Sequence, residues 1–492
     1  MRRTHSLSRL TAIVLLASTA SACMVGPNYH RPSVTAPPAF KEAKGWEPAQ
    51  PSDAANKTDW WTVFGDPVLN GLEARVAVSN QTLAADEAAY RAAHAIVAED
   101  RAALYPTVTL GGSGQRQFTG AGAIASKTAS ATGANTGGIA TRPQGSTSVN
   151  YQPTLGATWE PDLWGSVRRT INSAKATAQS DSALVANARL SMQTELAIDY
   201  ISLRQLDEET RLYNAQVAAY TRSLEVTQNK YRAGNAAQSD VLTAETQLQT
   251  ILATYQDLAR QRALMEHAIA VLVGVAPADL TLPPAEWNLK LPEIPTVLPS
   301  ALLQRRPDIA ESERNAAAAN ELIGVQIAAY YPTLTLTADG GFQSNQLSNL
   351  FNTSNFTWGI GASVSETVFD GGLRGARIRQ YRAQYDETVA TYRATVLSAF
   401  QSVEDNLAAQ RIYGGELEKL KAAADAATLN QTITLNEYNA GTVDFTTVAT
   451  AQVAALEAQV SELQVEASRL ATAVSLIEAL GGGWTTADLP KS

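Results

Sequence analysis

Few side chains in this sequence could make or break bonds. Four histidines, His5, His30, His94 and His267, are scattered, and no two stand at metal-ligand spacing. No phosphate-loop, Gly-x-Ser-x-Gly or His-Glu-x-x-His pattern occurs. The reading is therefore no catalytic residue, no metal and no cofactor. His267 reads as a packed or surface side chain. The glycine clusters Gly111-Gly112, Gly371-Gly372 and Gly481-Gly482-Gly483 fall at strand or helix ends, where backbone permissiveness accounts for them.

The one chemically distinctive residue is Cys23, the only cysteine, which excludes an intramolecular disulfide. Ahead of it lie a basic start with Arg2, Arg3 and Arg9, an apolar run from Leu10 to Ala17, and the small residues Ala20-Ser21-Ala22. That order is a secretory signal over residues 1–22. A cut before Cys23 is the lipoprotein pattern, in which the new N-terminal cysteine is acylated. Ala20-Ser21-Ala22 also fits ordinary signal cleavage. Met24, rather than Asp, follows the cysteine, which permits sorting to an outer membrane.

The formal charge is -9, and removal of the leader's three arginines takes it to -12. An acidic chain argues against nucleic acid as a partner. After the leader no run approaches the roughly eighteen apolar residues of a membrane helix. A chain like this crosses a bilayer only with strands closed into a barrel.

The elements that could do so are arranged twice. Two stretches lack proline, from Asp162 to Ala276 and from Thr333 to Leu489. In the first, Leu196, Leu203, Val217 and Leu224 recur on a seven-residue spacing, with Leu206, Tyr213 and Tyr220 beside them. In the second, Val389, Val396, Val403 and Leu417 run with Tyr392, Tyr413 and Leu420. That is coiled-coil spacing, and a helix from Val167 to Lys230 would extend roughly 95 Å at 1.5 Å per residue. A proline-rich extended arm is expected over 23–58. The first repeat spans 59–276: a helix over 68–104, strands at 105–117 and 148–161, a long helix, a turn at 231–239 and a returning helix. A proline-rich linker covers 277–300. The second repeat spans 301–484, with strands at 332–343 and 356–369 and a turn at 438–446. A tail of 485–492 closes the chain. Tyr105-Pro106-Thr107 matches Tyr331-Pro332-Thr333, Glu160 aligns with Glu366, and Tyr231 to Gly234 matches Tyr438 to Gly441.

The strands alternate with period two. Val149, Tyr151, Pro153, Leu155, Ala157 and Trp159 make one face, with Asn150, Gln152, Thr154, Gly156 and Thr158 on the other. Phe356, Trp358, Ile360, Ala362 and Val364 alternate with Thr357, Gly359, Gly361, Ser363 and Ser365. Tyr105, Trp159, Tyr331 and Phe369 fall near strand ends, as interfacial girdles do. The polar stretch between Phe118 and Thr147 reads as an exposed loop. Four strands are too few for a barrel, since the smallest single-chain barrels need about eight. The barrel must be shared: two copies give eight strands and three give twelve.

Further markers carry a family resemblance: Cys23 with Val25-Gly26-Pro27-Asn28-Tyr29-His30-Arg31-Pro32, Trp60-Trp61 through Asp66-Pro67, Leu303-Gln304-Arg305-Arg306-Pro307-Asp308-Ile309, Tyr331-Pro332, Val403-Glu404-Asp405, Tyr438 with Gly441, and Ala479-Leu480-Gly481-Gly482-Gly483-Trp484. In this order they resemble the outer membrane factor family of TolC-like channels, in its lipoprotein branch of the OprM, CusC and NodT type. The resemblance implies a mixed α and β homotrimer with an internal two-fold repeat. Its twelve-stranded transmembrane β-barrel, four strands per chain, continues into a long periplasmic α-helical barrel. It also implies an outer membrane lipid anchor at Cys23, docking to a periplasmic adaptor and an inner-membrane pump of the resistance-nodulation-division type, and passive efflux of drugs, solvents, dyes or metal ions. Adaptor contact is expected at Tyr231, Gly234, Ser239, Asp240, Leu242, Tyr438 and Gly441. The pore constriction is expected at Asp444, Phe445, Thr446 and Thr450. Here the sequence departs from its relatives, with Thr450 at the usual acidic position, Thr446 at the apolar one and Val453 at a basic one. Asp444 reads either as a helix N-cap or as a threefold acidic ring. A duct for protein secretion and a trimeric coiled-coil scaffold are the competing functions; the scaffold leaves the amphipathic strands unexplained.

Overall fold

The computed structural model describes residues 24–43, 59–120, 145–292 and 299–490. Cys23, the signal segment and residues 121–144 lie outside the described residues. The chain forms two compact units. One gathers the segment ending at His30 with His94–Lys175 and Ala317–Asp386; the other gathers Arg31–Ala93, Ala176–Ala316 and the chain from Glu387 onward.

The first unit holds an antiparallel sheet in the order β1 (Thr107–Thr119), β2 (Ser146–Trp159), β3 (Thr333–Phe342), β4 (Phe356–Ser365). β1 and β2 reach into the polar stretch expected to be loop from Phe118 to Thr147, and β4 stops at Ser365, short of the expected 369. The register explains the alternation. Val108 faces Ala157 and Leu110 faces Leu155; Ala157 faces Ala338, and Leu336 faces Ala362. Most apolar positions therefore meet apolar or small neighbours across the sheet, Val149 opposite Arg116 being an exception, and most threonines and serines share the opposite face.

The pairing also corrects the alignment of the repeats. A shift of 226 carries Thr107 onto Thr333, and a shift of 207 carries Thr158 onto Ser365, so the Thr107–Thr158 pair becomes the Thr333–Ser365 pair. Glu160 thus corresponds to Thr367 rather than to Glu366. A slip of one would have put the apolar face of β2 over the polar face of β4.

Among the described residues eight α-helices carry the rest: α1 (Pro67–Ser79), α2 (Gln81–Ala102), α3 (Ser166–Arg232), α4 (Gln238–Leu272), α5 (Pro299–Arg305), α6 (Pro307–Ala328), α7 (Leu373–Ala440) and α8 (Phe445–Ala479). The single helix expected over 68–104 is two, broken at Asn80. There the Asn80 side-chain Nδ2 donates to Leu272 O at 2.9 Å, and its Oδ1 accepts from the Leu83 backbone amide at 3.0 Å. It closes the end of α4 and caps α2 at once. The second repeat breaks at the matching place. Arg306 donates to Ala479 O at 2.9 Å and pairs with Asp308 at 2.6 Å, while Pro307 opens α6. The same shifts of 226 and 207 relate both partners.

In the second unit Leu196, Tyr200 and Leu203 of α3 pack with Trp60, Trp61, Phe64, Leu69 and Val76, and with Ile269 of α4 and Val474 of α8. Asp66 caps α1 through the Val68 and Leu69 amides and accepts from the Tyr200 hydroxyl at 2.7 Å. The proline-rich arm has no helix over 31–43 and is fastened to α7 and its surroundings. Arg31 donates to Tyr392 and Leu303 O, Phe40 is buried with Tyr392, Val396 and Phe400, and the Glu404 carboxylate accepts the Lys41 and Glu42 amides.

At the ends of α4 and α8, Gly274 and Gly481 have φ of 73° and 97°. A Cβ there would stand 2.0 Å from Ser79 O and 2.1 Å from Arg305 O. Both conformation and space demand glycine. Gly481→Ala should therefore cost about 2–4 kcal/mol, from left-handed strain plus overpacking. Gly234→Ala, with φ 78° and nothing within 4 Å, should cost about 1 kcal/mol. Thermal unfolding of detergent-extracted protein measures the difference; equal midpoints would contradict it.

Candidate functional site

The turns at the far ends of the long helices are built alike. α3 stops at Gly234, whose amide donates to Tyr231 O at 2.9 Å, while the Asn235 amide reaches Lys230 O at 2.8 Å. α7 stops at Gly441 (φ 79°), with Gly441 to Tyr438 O at 3.0 Å and Thr442 to Glu437 O at 3.0 Å. Both are Schellman caps, satisfying carbonyls that would otherwise lack partners. The returning helices are capped by acids in swapped positions. In the first turn Asp240 reaches back to the Ala237 amide at 3.2 Å. In the second, Asp444 is the N-cap, accepting from the Thr447 amide at 2.9 Å and hydroxyl at 2.7 Å. Those bonds from Thr447 hold the Asp444 carboxyl below the usual carboxylate range, and its side chain is exposed. N-cap and charged rim are compatible in one residue.

The two turns differ in what they show to solvent. Tyr231 is 45% exposed and Leu242 55%, and Gly234 and Ser239 are exposed beside them, with Asp240 half-buried. Their counterparts Tyr438 and Ala449 are buried. Tyr438 lies under Lys230, whose ammonium sits 3.6 Å from the ring centroid, with its hydroxyl 3.2 Å from Thr227 Oγ1 and its ring edge-on to Phe445 at 5.6 Å. Phe445 is 1% exposed and packs with Ala244, Tyr438, Val448 and Ala449. In the single chain, then, Tyr438 and Phe445, expected as adaptor contact and pore constriction, are both buried side chains. Four helix ends must bury something between them, and these two rings supply it.

Thr446, Thr450 and Val453 are exposed, and at spacings of four and three they share one side of α8. Glu457, also exposed, extends the same stripe. The sequence reading did not name it; continuing the helical spacing past Val453 would have. Thr450 spends its hydroxyl on Thr446 O at 2.9 Å.

In the first unit the sheet presents two chemically distinct faces. Val108, Leu110, Leu155, Trp358, Ile360 and Val364 are exposed on the apolar one. On the polar face of the described strands Asp339 is the one charged residue, paired with Gly156 and Gly359. At the strand ends Trp159 donates to Leu104 O, Trp164 stacks on Tyr331 at 4.7 Å and donates to Pro332 O at 2.7 Å, and Tyr105 and Phe369 stand exposed.

The same unit grips the chain just after Cys23. The Val25 amide donates to Trp164 O at 3.1 Å. The fully buried Arg169 donates to the carbonyls of Val25, Gly26 and Pro27 and to Glu321 at 2.9 Å. Its stem lies over Gly324, where a Cβ would come within 2.1 Å of it. Arg169 was invisible to sequence reasoning because three of its four partners are backbone carbonyls.

Among the described residues no group of histidine, cysteine or acidic side chains is arranged to hold a metal, and no helix is long and apolar enough to cross a membrane. The site is one of surfaces rather than reacting atoms.

A sheet apolar on one face and polar on the other, combined with a duplicated set of long paired helices, defines a TolC-like outer membrane channel protomer. The outer membrane channel OprN matches with a TM-score of 0.84 at 27% identity, covering 94% of this chain and 100% of that one. The toluene efflux pump outer membrane protein TtgC of Pseudomonas putida is 31% identical over 484 residues, 96% of either chain. The pyoverdine export outer membrane protein OpmQ of Pseudomonas aeruginosa is 30% identical over 446 residues, 88% of this chain and 89% of that one. The model of the outer membrane efflux protein family matches residues 74–275 and 298–482, and the chain belongs to that family. It is an outer membrane efflux channel of a Gram-negative cell, in a family of ducts rather than enzymes.

The tip geometry generates a prediction. Phe445→Ala should lower stability by about 3–5 kcal/mol, the usual cost of emptying a buried aromatic site. Tyr231→Ala, at an exposed position, should stay within about 0.5 kcal/mol. Denaturant unfolding in detergent compares them; similar losses would mean that Tyr231 is also core.

Proposed function

We propose that three copies of this chain close one twelve-stranded barrel, which conducts small molecules received from a periplasmic adaptor and an inner-membrane pump of the resistance-nodulation-division type. The observation that carries this reading is the pair of open edges. Among the described residues β1 and β4 each have one neighbouring strand, yet one face of the sheet is largely apolar and the other polar. Open edges are not tolerated in hydrocarbon, so another copy must cover them. Two copies would give eight strands, an interior that side chains fill; three leave a lumen. The polar face with Asp339 then lines water and the apolar face meets lipid.

The helix turns are the surface offered to the adaptor, with the exposed Tyr231, Gly234, Ser239 and Leu242 as its contacts. The stripe Thr446, Thr450, Val453 and Glu457, with Asp444 at its head, lines the mouth. Relatives named for toluene and pyoverdine export suggest a wide range of small organic substrates. Three Asp444 carboxylates around the axis would concentrate cations there.

Purified protein in a planar bilayer should give stepwise single-channel currents; a protein with assembled trimers and no current would overturn the channel reading. Asp444→Asn keeps an N-cap but removes the charge, so it should lower cation over anion permeability severalfold at 0.1 M salt and much less at 1 M, where the Debye length is about 3 Å. An unchanged ratio would leave Asp444 as a cap alone.

The grip of Arg169 on the carbonyls of residues 25–27 supports an anchor just upstream, where an acyl group on Cys23 would enter the membrane. Cys23→Ser should abolish labelling by radioactive palmitate; persistent labelling would refute the anchor.

A further inference from the structure

Each face of the sheet carries one charge among the described strands. On the polar face it is Asp339; on the apolar face it is Arg116 of β1. The pairing of β1 with β2 is uninterrupted from Thr107 opposite Thr158 to Thr119 opposite Ser146, so Arg116 shares the side of Val108, Leu110 and Phe118. Arg116 is exposed, stands opposite Val149 and makes no ion pair among the described residues. Its own hairpin could not supply one, because the sequence has no Asp or Glu from Thr107 to Trp159. In the other hairpin, from Thr333 to Ser365, the sole acid is Asp339, on the opposite face.

The depth of Arg116 narrows what answers it. α2, α3, α6 and α7 all join the sheet at one end, marked by Thr107, Trp159, Thr333 and Ser365. Arg116 lies nine residues beyond Thr107. At about 3.3 Å per residue and a tilt of about 45°, that is roughly 21 Å across the bilayer, close to the far limit of an apolar band about 25 Å tall. With the helices in the periplasm, the far limit is the outer leaflet. A cation facing lipid is costly at mid-depth and tolerated at the interface, where phosphates meet it. Aromatic rings, which settle at headgroup level, flank it. Phe118 is 70% exposed, and the Tyr151 ring lies over Gly114, where a Cβ would come within 3.3 Å of it.

We infer that Arg116 binds a phosphate of the phosphorylated, multiply acylated glycolipid of the outer leaflet, with Phe118 and Tyr151 packing against the upper ends of its acyl chains. This rests on the reading that the apolar face meets lipid, and adds a specific lipid contact to it. A guanidinium suits the task, since its planar fork takes two phosphate oxygens at once. An acidic protein is the poorer occupant, because the surface around Arg116 is one that lipid covers.

The test is titration of delipidated protein in detergent with bis-phosphorylated lipid A, read by native mass spectrometry. Wild type should bind it roughly fivefold more tightly than Arg116→Gln, the scale of one charge-assisted contact, and Arg116→Lys should recover part of the difference. Lipid A stripped of its phosphates should bind wild type no better than intact lipid A binds Arg116→Gln. Arg116→Gln combined with Gln117→Arg restores the net charge on the polar face and should recover nothing. Equal affinity of wild type and Arg116→Gln, or full recovery by the Gln117→Arg combination, would overturn the site. Tighter binding of phosphatidylglycerol than of lipid A would overturn the assignment to the outer leaflet. Single-channel current of Arg116→Gln should match wild type, so loss of the lipid site leaves the channel reading standing. Protein that binds lipid A through Arg116 but passes no current would overturn the channel reading alone.

Discussion

The structure depends on the backbone hydrogen bonds at the edges of its sheet. A peptide group facing hydrocarbon without a partner costs several kcal/mol, and a row of them cannot be carried by a strand in lipid. Among the described residues β2 and β3 are paired on both sides, but β1 and β4 on one side each. That deficit turns a four-stranded sheet into a component of something larger. The duplicated helices serve the same end, because two similar hairpins each need a similar helical mount.

Duplication is visible at the level of single hydrogen bonds. Asn80 to Leu272 O and Arg306 to Ala479 O use different side chains for one task, closing a returning helix against a break in the first. Gly274 on Ser79 and Gly481 on Arg305 repeat one close approach. Function enters where the copies diverge. The first turn leaves Tyr231 and Leu242 in solvent, and the second folds Tyr438 and Phe445 inward and exposes a threonine stripe headed by an acid. A channel needs an outer contact surface and an inner lining, and two diverged copies of one hairpin of helices can supply both.

Much of this was readable from residue order. The alternation of Phe356 to Ser365 fixed two faces, the proline-free heptads fixed two long helices, and Tyr-x-Ala-Gly marked both turns. Charge and the absence of catalytic spacing turned attention to surfaces. The break at Asn80 was missed because asparagine is not a strong helix breaker; what its side chain answers there is the Leu272 carbonyl, almost two hundred residues away. Aligning Glu160 with Glu366 was wrong because identity at one position outweighed face parity, which only the cross-strand register enforces.

What the sequence determined by itself was periodicity: which residues share a face, where helices stop, and that the pattern occurs twice. Those are local properties, set by the fixed periods of helix and strand and by glycine and proline. Which face of a helix is inside was decided by tertiary packing alone. Tyr231 and Tyr438 occupy the same place in the same motif, yet one is in solvent and one is buried, because burial depends on which distant helices crowd each turn. Arg169 likewise took its meaning from three carbonyls of a segment far away in the chain, and a carbonyl carries no residue identity for a sequence to display.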